Sequence, residues 1–235
     1  MTTFVNIDSH GTAIQTEVFH PAGTMNGGAI IVAHGSDGLT PPWEALIREY
    51  AIELAAKGFT ALIPSYFAKT GTVPGPSVFS QLPANLDSWV EAVSDSVAHA
   101  KTLSGVSAQR VGLLGFSLGG HICLRLRGSA EAVVEFFAPE LRQLGGLGTS
   151  RAGATHLQIH HGLADLLVPF SETQAVVTVL KGEGTVPEVY SYEGAGHGFA
   201  GADPTNATAR RSSKDRTLAF FEKNLRHKGE PRRAQ

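Results

Sequence analysis

Six short apolar runs alternate with longer segments of helical periodicity, and this alternation restricts the fold more than any other feature of the chain. The runs are rich in β-branched residues, as in strands that are buried on both faces. They are Ala29 to Ala33, Phe59 to Ile63, Arg110 to Leu114, Ala132 to Phe137, His156 to His160 and Glu188 to Tyr192. Helical spacing covers residues 43–57, 85–103, 117–127, 169–180 and 207–225. The pattern predicts an α/β fold, with a mostly parallel central sheet and helices on both faces.

Two segments depart from this alternation. The runs FVNI and AIQTEVF flank His10 and Gly11, a pattern that predicts an antiparallel hairpin at the sheet edge. Residues 69–83 hold three prolines and two glycines, which favours an irregular loop that shapes a pocket or closes over it as a lid. Because no linker or repeat divides the chain, we expect a single domain over residues 1–228 and a disordered tail over residues 229–235.

Composition excludes several classes of protein. Of the 235 residues, 42% are apolar and 17% are charged, and the formal net charge is -2. These values fit neither a disordered polyelectrolyte nor a basic nucleic-acid-binding protein. The single cysteine, Cys123, excludes an internal disulfide. The N-terminus has no basic start and no apolar core, and no long apolar run follows, so we expect a cytoplasmic protein without a membrane span.

A five-residue motif carries the strongest chemical signal. Residues 115–119, Gly-Phe-Ser-Leu-Gly, follow an apolar run and precede a helical pattern. This is the G-x-S-x-G turn, which exposes a nucleophilic serine, here Ser117, between a strand and a helix. The turn lies at a helix N-terminus, so the backbone N–H of Leu118 can donate to a developing oxyanion. The alternative is an ordinary glycine-rich turn whose serine caps the helix.

A nucleophilic serine needs a base, and His197 is the best placed histidine. It lies in GAGHGF, after the last predicted strand, where a flexible loop can carry an imidazole over the carboxyl edge of the sheet. A solvated loop histidine is the alternative interpretation. The other downstream histidines lie on the helix after the motif, in one strand or in the tail: His121, His156, His160, His161 and His227.

The acid is expected in a strand-end loop between the serine and the histidine. Asp165 follows the run that ends at His160 and precedes a helix that opens at Pro169. A carboxylate there can accept the imidazole Nδ1 proton, fix the tautomer and stabilise the imidazolium. A capping role is the alternative for Asp165, and Glu172 and Glu193 are weaker candidates for the acid.

The loop after the first buried run, residues 34–38, is expected to supply a second oxyanion donor. We assign this role to the backbone N–H of Ser36, with Gly35 and Asp37 one residue away on either side. Aromatic residues that flank the predicted strand ends are expected to line an apolar substrate pocket. They are Trp43, Tyr66, Phe67, Phe79, Phe116 and Phe199.

Four segments, AIIVAHGSDG, GFSLGG, HHGLADLLVP and GAGHGF, resemble the dienelactone hydrolase family of α/β-hydrolases, and the resemblance covers most of the chain. It implies the α/β-hydrolase fold, with Ser117 as nucleophile, Asp165 as acid and His197 as base. It also implies that the backbone N–H groups of Ser36 and Leu118 bind the oxyanion. Acyl transfer by such a set needs no metal and no organic cofactor.

The chain departs from that family at two places. Dienelactone hydrolases proper carry a cysteine nucleophile and a glutamate in the loop after the third strand, where this chain has Ser117 and Gly35. They also hold the substrate carboxylate with arginines, and one arginine position corresponds here to Gly201, with Lys69 as a weak substitute. We therefore expect a serine hydrolase that takes a small-molecule ester or lactone, with no nucleic-acid or membrane partner.

Competing signals are weaker. Residues 196–201 satisfy G-x-G-x-x-G, but too few residues follow them for a dinucleotide-binding domain. The histidines show no metal-ligand spacing, and Cys123 is expected to be a buried apolar residue. A catalytically silent α/β-hydrolase fold that binds a ligand, or a thioesterase or peptidase-like activity, remains the alternative function. The sequence predicts neither the natural substrate nor the oligomeric state.

Overall fold

A computed structural model describes residues 1–148 and 155–225, so the predicted tail over residues 229–235 lies outside the described residues. Its strands are β1 Thr2–Ser9, β2 Thr12–Phe19, β3 Ala29–Ala33, β4 Thr60–Pro64, β5 Val111–Phe116, β6 Ala132–Phe136, β7 His156–Gly162 and β8 Glu188–Tyr192. Its helices are α1 Trp43–Ala56, α2 Val78–Ala100, α3 Leu118–Arg125, α4 Phe170–Gly182 and α5 Pro204–Asn224. Within these ranges no helix has both the length and the apolar character that a membrane span requires.

The strands form an 8-stranded sheet in the order β1-β2-β4-β3-β5-β6-β7-β8. From β4 through β8 every neighbouring pair is parallel. Strand β2 pairs antiparallel with both β1 and β4, and in the β1–β2 hairpin Ile7 lies opposite Ile14. The predicted edge hairpin and the mostly parallel sheet are therefore confirmed.

The sheet separates two apolar cores. Consecutive residues of β3 face opposite sides, so that Ile30 belongs to one core and Ile31 to the other. Leu54 of α1 and Phe221 of α5 pack on the side of Ile30. Trp89 of α2 packs on the side of Ile31, together with α3 and α4. Helices thus cover both faces, as the alternating pattern predicts.

Helix α2 begins earlier than the sequence predicts. The prolines and glycines of residues 69–83 favour a loop, but the helix starts at Val78 and contains Pro83. Val78 and Trp89 lie on one face of the helix and are completely buried. Burial of this face outweighs the backbone hydrogen bond that proline removes. The irregular stretch is therefore confined to residues 70–77.

The loops that hold the candidate residues all leave the carboxyl ends of parallel strands. Ser36 follows β3, Ser117 follows β5, Asp165 follows β7 and His197 follows β8. Because parallel strands point the same way, these four loops lie at the same edge of the sheet. The topology therefore brings residues that are distant in sequence to one side of the molecule.

Candidate active site

Ser117 occupies the sharp turn between β5 and α3 in a strained conformation. Its φ is 52° and its ψ is -117°, a region that residues with a side chain rarely adopt. The backbone N–H of Ser117 donates to the carbonyl of Phe136 at 2.8 Å, which ties the turn to β6. The side chain makes no capping hydrogen bond to α3. The geometry therefore differs from that of a serine that simply caps a helix.

The two glycines of the motif are required because backbones cross there. A Cβ atom on Gly115 would lie 2.3 Å from the carbonyl oxygen of Gly119. A Cβ atom on Gly119 would lie 2.2 Å from the carbonyl oxygen of Ala33 and 2.4 Å from that of His34. All three contacts involve backbone atoms, which cannot rotate away. Glycine at these positions lets the serine turn pack directly on the loop that contains Ser36.

Asp165 and His197 form a short hydrogen bond across the site. Nδ1 of His197 lies 2.7 Å from Oδ2 of Asp165. An ionised carboxylate can only accept, so Nδ1 carries the proton and Nε2 of the neutral ring keeps a lone pair. The other carboxylate oxygen, Oδ1, accepts from the backbone N–H groups of Leu167 at 2.9 Å and Val168 at 2.8 Å. These bonds fix the orientation of the carboxylate and of the imidazole.

The carboxylate of Asp165 stays ionised although it is buried. Burial by itself raises the pKa of Asp165, but hydrogen bonds from His161, His197 and the Val168 N–H favour the charged form. Together they hold the pKa of this carboxyl well below its usual range. A fixed negative charge therefore faces Nδ1 of His197 at neutral pH, where it can stabilise an imidazolium.

A second imidazole, to which the sequence pattern assigns no role in the site, lies against Asp165. Nε2 of His161 donates to the carbonyl of Val168 at 2.8 Å and lies 3.5 Å from Oδ2 of Asp165. Its Nδ1 is 2.7 Å from the hydroxyl of Thr173. Burial lowers the pKa of His161, but the contacts with Asp165 and Val168 outweigh burial and raise it overall. His161 and Asp165 lie in the run HHGLAD at the end of β7, where no local sequence pattern indicates that the ring contacts the carboxylate.

Ser117 and His197 line the same cavity. Within residues 1–148 and 155–225 no hydrogen bond joins the serine hydroxyl to the histidine. Such a bond often tightens only when substrate is bound. The structure therefore brings Asp165 and His197 into direct contact and places Ser117 in the wall of the same cavity as the imidazole.

The backbone N–H groups of Ser36 and Leu118 are both available at the site. Neither group donates to another atom in the part of the chain that the structure describes. The Ser36 carbonyl accepts from Gly75 at 2.9 Å, which fixes the loop. The hydroxyl of Tyr66 donates to the His34 carbonyl at 2.7 Å, and the two rings stack at 4.0 Å between centroids. Burial lowers the pKa of His34 to about 4, so this ring is neutral and serves packing.

The predicted pocket residues divide into two groups. Trp43 and Phe116 line the first cavity, and Phe79 lines a second cavity on the other side of Ser117. Tyr66, Phe67 and Phe199, which the sequence pattern also places in the pocket, are buried in the two cores and line neither cavity. Their rings are enclosed by other aromatic rings, a packing that position near a strand end does not reveal.

Residues of the first cavity that no sequence motif indicates lie on α1 and around the histidine. Leu46 and Ile47 come from α1, and Gly198 follows the histidine. The ring of Phe137 lies 4.6 Å from that of His197, between centroids. Gly198 has φ 68°, and a Cβ atom there would meet the Trp43 ring at 2.4 Å. Glycine therefore allows the histidine loop to pack flat against Trp43.

The loop of His197 is also held by a residue of α5. The side chain of Asn206 accepts from the backbone N–H of Gly196 at 3.1 Å. Asn206 in turn donates to Asp203, which caps the helix. The loop immediately before the imidazole is thus anchored to the start of α5.

Other groups that the sequence singled out lie away from the cavities. Lys69, considered as a substitute for a missing arginine, donates to the carbonyl of Ser9 at 2.7 Å and pairs with Glu91 at 2.8 Å. Cys123 is buried, and burial raises the pKa of its thiol. Glu172 accepts from the backbone N–H of Glu140. Among the described residues no three His, Cys, Asp or Glu side chains are grouped so as to hold a metal ion.

The strand order, the serine turn after β5 and the acid and histidine loops after β7 and β8 define an α/β-hydrolase fold. The sequence profile of the dienelactone hydrolase family matches residues 14–225. The chain therefore belongs to the dienelactone hydrolase family, and with it to the hydrolases. The resemblance carried by the four motif segments is confirmed.

Individual relatives agree with this placement. A curated Synechocystis protein, described as a candidate carboxymethylenebutenolidase, is 25% identical over 84% of this chain and 86% of its own length. A dienelactone hydrolase-like promiscuous phosphotriesterase from metagenomic libraries superposes with a TM-score of 0.77, at 21% identity, over 95% of this chain and 98% of its own. A thermophilic esterase from Thermogutta terrifontis gives a TM-score of 0.69 at 22% identity, over 97% and 95%. At these identities the two solved structures establish the fold.

Proposed function

We propose that the protein is a serine hydrolase that cleaves a small carboxylic ester or lactone through an acyl-enzyme on Ser117. One observation carries the proposal. The 2.7 Å bond between Asp165 and His197 orients an imidazole on the wall of the cavity that Ser117 also lines. A nucleophile, a base and an orienting acid in this order are the requirements for acyl transfer.

In the acylation step, the Ser117 hydroxyl oxygen forms a bond to the carbonyl carbon, and its proton passes to Nε2 of His197. The negative charge on the carbonyl oxygen is held by the N–H groups of Ser36 and Leu118. The bond between the carbonyl carbon and the leaving oxygen then breaks, and that oxygen takes the proton from Nε2 of His197. The alcohol departs and the acyl group remains on Ser117.

In the deacylation step, water replaces the alcohol. His197 takes a proton from water as the water oxygen bonds to the acyl carbon. When the bond to Ser117 breaks, the serine oxygen recovers a proton from His197 and the carboxylic acid leaves. Asp165 remains a carboxylate throughout and stabilises the imidazolium that forms in each step.

The cavities favour an uncharged substrate. Neither cavity is lined by a lysine or an arginine among the described residues, and Asp37 is the one acidic residue in their walls. At the position of the family's arginine, Gly201 leaves only a backbone carbonyl, which accepts from Arg210 at 2.8 Å. A substrate carboxylate would have no cation to pair with, so a neutral ester or lactone suits this site better than a dienelactone.

A structural relative supports the expected reactivity. The Thermogutta esterase has also been solved in a form phosphorylated by paraoxon. An organophosphate that attaches to an activated nucleophile is therefore a suitable probe for this chain.

The test is Ser117→Ala, with Ser80→Ala as the matched control because Ser80 is an exposed serine on α2. We expect Ser117→Ala to lower kcat for a nitrophenyl ester by about 10⁶-fold and Ser80→Ala to leave kcat unchanged. A fluorophosphonate should add once to the wild-type protein, and peptide mapping should locate the adduct on Ser117. Wild-type turnover in Ser117→Ala would show that Ser117 is not the nucleophile. A wild-type protein that neither hydrolyses the ester nor is labelled by a fluorophosphonate would instead indicate a silent fold that binds ligands.

A further inference from the structure

A second cavity opens on the other side of Ser117. Its walls come from the first turns of α2, from the loop after β6 and from the loop after Asp165. Ser36 and Ser117 line both cavities, whereas His197 lines only the first and Leu118 only the second. The nucleophile and one oxyanion donor therefore lie at the junction of two separate spaces.

The position of the histidine distinguishes the two cavities chemically. The leaving oxygen receives its proton from Nε2 of His197, so it must come within hydrogen-bond reach of that atom. The group attached to the leaving oxygen therefore occupies the cavity that His197 lines. The acyl substituent lies on the opposite side of the carbonyl carbon, towards the cavity that His197 does not line.

The second cavity is suited to hydrocarbon. Its walls are apolar except for the two shared serines, and its most buried side chains are Val78, Leu82, Leu118 and Val168. Phe79 and Leu167 line the same cavity but are 49% and 56% exposed, respectively. These two side chains extend the apolar surface beyond the cavity. An acyl chain longer than the cavity could continue along them.

We propose that the second cavity binds the acyl group and the first binds the leaving alcohol, and that the preferred substrates are esters of medium-chain apolar acids. This inference rests on the proposed function, because it assumes that Ser117 is the nucleophile and His197 the proton donor. It adds which end of the substrate enters each cavity and the chemical class of its acyl group.

Two leucines provide a matched pair of variants. Leu82 of α2 lines the second cavity, and Leu46 of α1 lines the first. Each is replaced by tryptophan, and kcat/KM is measured for two substrate series. One series varies the acyl group of nitrophenyl esters from acetate to octanoate. The other varies the alcohol of acetate esters from methyl to hexyl, and hydrolysis is measured by the release of acid.

We expect Leu82→Trp to lower the ratio of kcat/KM for octanoate over acetate by at least tenfold, while the hexyl-to-methyl ratio stays within about threefold of wild type. We expect Leu46→Trp to lower the hexyl-to-methyl ratio by at least tenfold, while the octanoate-to-acetate ratio stays within about threefold of wild type. In the wild type, kcat/KM should rise from acetate to octanoate. The inference is overturned if Leu82→Trp lowers the hexyl-to-methyl ratio instead of the octanoate-to-acetate ratio. It is also overturned if kcat/KM of the wild type is higher for the acetate than for the octanoate.

A variant that fails to fold would not remove the test. Leu82→Ala enlarges the same cavity without overpacking and should shift the acyl preference towards longer or branched acids, so an unchanged preference would contradict the assignment. Failure of the proposed function has a different signature. In that case ester turnover would survive Ser117→Ala. If only the cavity assignment is wrong, turnover would still depend on Ser117, but the acyl and alcohol preferences of the variants would differ from those expected.

Discussion

Nδ1 of His197 donates to Oδ2 of Asp165 at 2.7 Å, while Oδ1 of the same carboxylate is held by two backbone N–H groups. The acid therefore cannot rotate away from the imidazole. Its negative charge is maintained because the hydrogen bonds on both oxygens hold the pKa of Asp165 below its usual range. The imidazole of His197 is thereby fixed in the tautomer that leaves Nε2 free to accept a proton.

The first prediction concerns Asp165→Asn. The amide can donate to Nδ1 and so favours the tautomer with its proton on Nε2, which cannot act as a base. We expect kcat to fall by about 10³- to 10⁴-fold in steady-state ester hydrolysis, with the protein still folded by circular dichroism. The control is Glu172→Gln, because Glu172 is the alternative acid and contacts the backbone of Glu140. A larger loss in Glu172→Gln than in Asp165→Asn would reverse the assignment.

The second prediction concerns Tyr66→Phe. The Tyr66 hydroxyl is the donor to the His34 carbonyl, two residues before Ser36. Its removal leaves a buried acceptor unpaired, so the free energy of unfolding should fall by about 1–3 kcal/mol. The loop of residues 34–38, which carries the Ser36 N–H, also loses an anchor. We therefore expect the factor by which kcat falls to be several-fold larger than the factor by which KM rises. Tyr190→Phe is the control, since the Tyr190 hydroxyl has only a long 3.5 Å contact with Glu188. Equal effects of the two variants on kcat would contradict a positioning role for Tyr66.

The third prediction concerns Gly119→Ala. A methyl group at this position would lie 2.2 Å from the Ala33 carbonyl oxygen, and neither backbone segment can move without separating α3 from β3. We expect a loss of at least about 4 kcal/mol in denaturant unfolding, or no soluble protein. Gly182→Ala is the control because nothing lies within 4 Å of its Cβ position at the end of α4. Gly182→Ala should leave the free energy of unfolding unchanged or raise it slightly. Wild-type stability in Gly119→Ala would contradict the tight crossing.

The fourth prediction concerns the buried carboxyl of Glu135 on β6. Its Oε2 accepts from the Ala138 N–H at 2.9 Å, and its Oε1 has no hydrogen-bond partner among the described residues. Burial raises the pKa of Glu135 to about 7. Between about pH 4.3 and about pH 7 the folded protein therefore binds more protons than the unfolded chain, and its stability falls as the pH rises through this window.

Glu135→Gln removes this titration and keeps an acceptor for Ala138. We compare the free energy of unfolding of the variant with that of the wild type at each pH. The difference, variant minus wild type, should be about 3 kcal/mol larger at pH 8 than at pH 4.5. Urea unfolding at the two pH values measures the difference, and both proteins must unfold in a single transition. A stability difference that does not change with pH would show that Glu135 does not titrate in this range.

Local patterns in the sequence predict most of the fold. For the strands Ala29–Ala33 and Glu188–Tyr192, the predicted bounds are those that the structure gives. Short runs rich in β-branched, aromatic or other apolar residues mark such strands without reference to distant parts of the chain. The predicted start of α2 is wrong because Pro83 is a local signal, whereas burial of Val78 against the sheet is a tertiary one.

The same distinction applies to the site. Ser117, Asp165 and His197 each lie in a short motif at a predicted strand end, so local sequence is sufficient to indicate them. It is not sufficient for His161, because the role of that residue depends on the hydrogen bonds that it makes with Val168 and Thr173 around the acid. Position near a strand end also gives no means of separating Trp43, which lines a cavity, from Tyr66, which is buried.

The sequence by itself determined the alternation of strands and helices, the turn that exposes Ser117 and the loops that present an acid and an imidazole. These are consequences of residue size, backbone freedom and apolar periodicity over a few positions. Only the tertiary structure decided that Asp165 contacts His197, that no lysine or arginine lines either cavity among the described residues, and that Ser117 lines both cavities. Such relations depend on how segments far apart in the chain pack in space, and local sequence does not encode the distances between them.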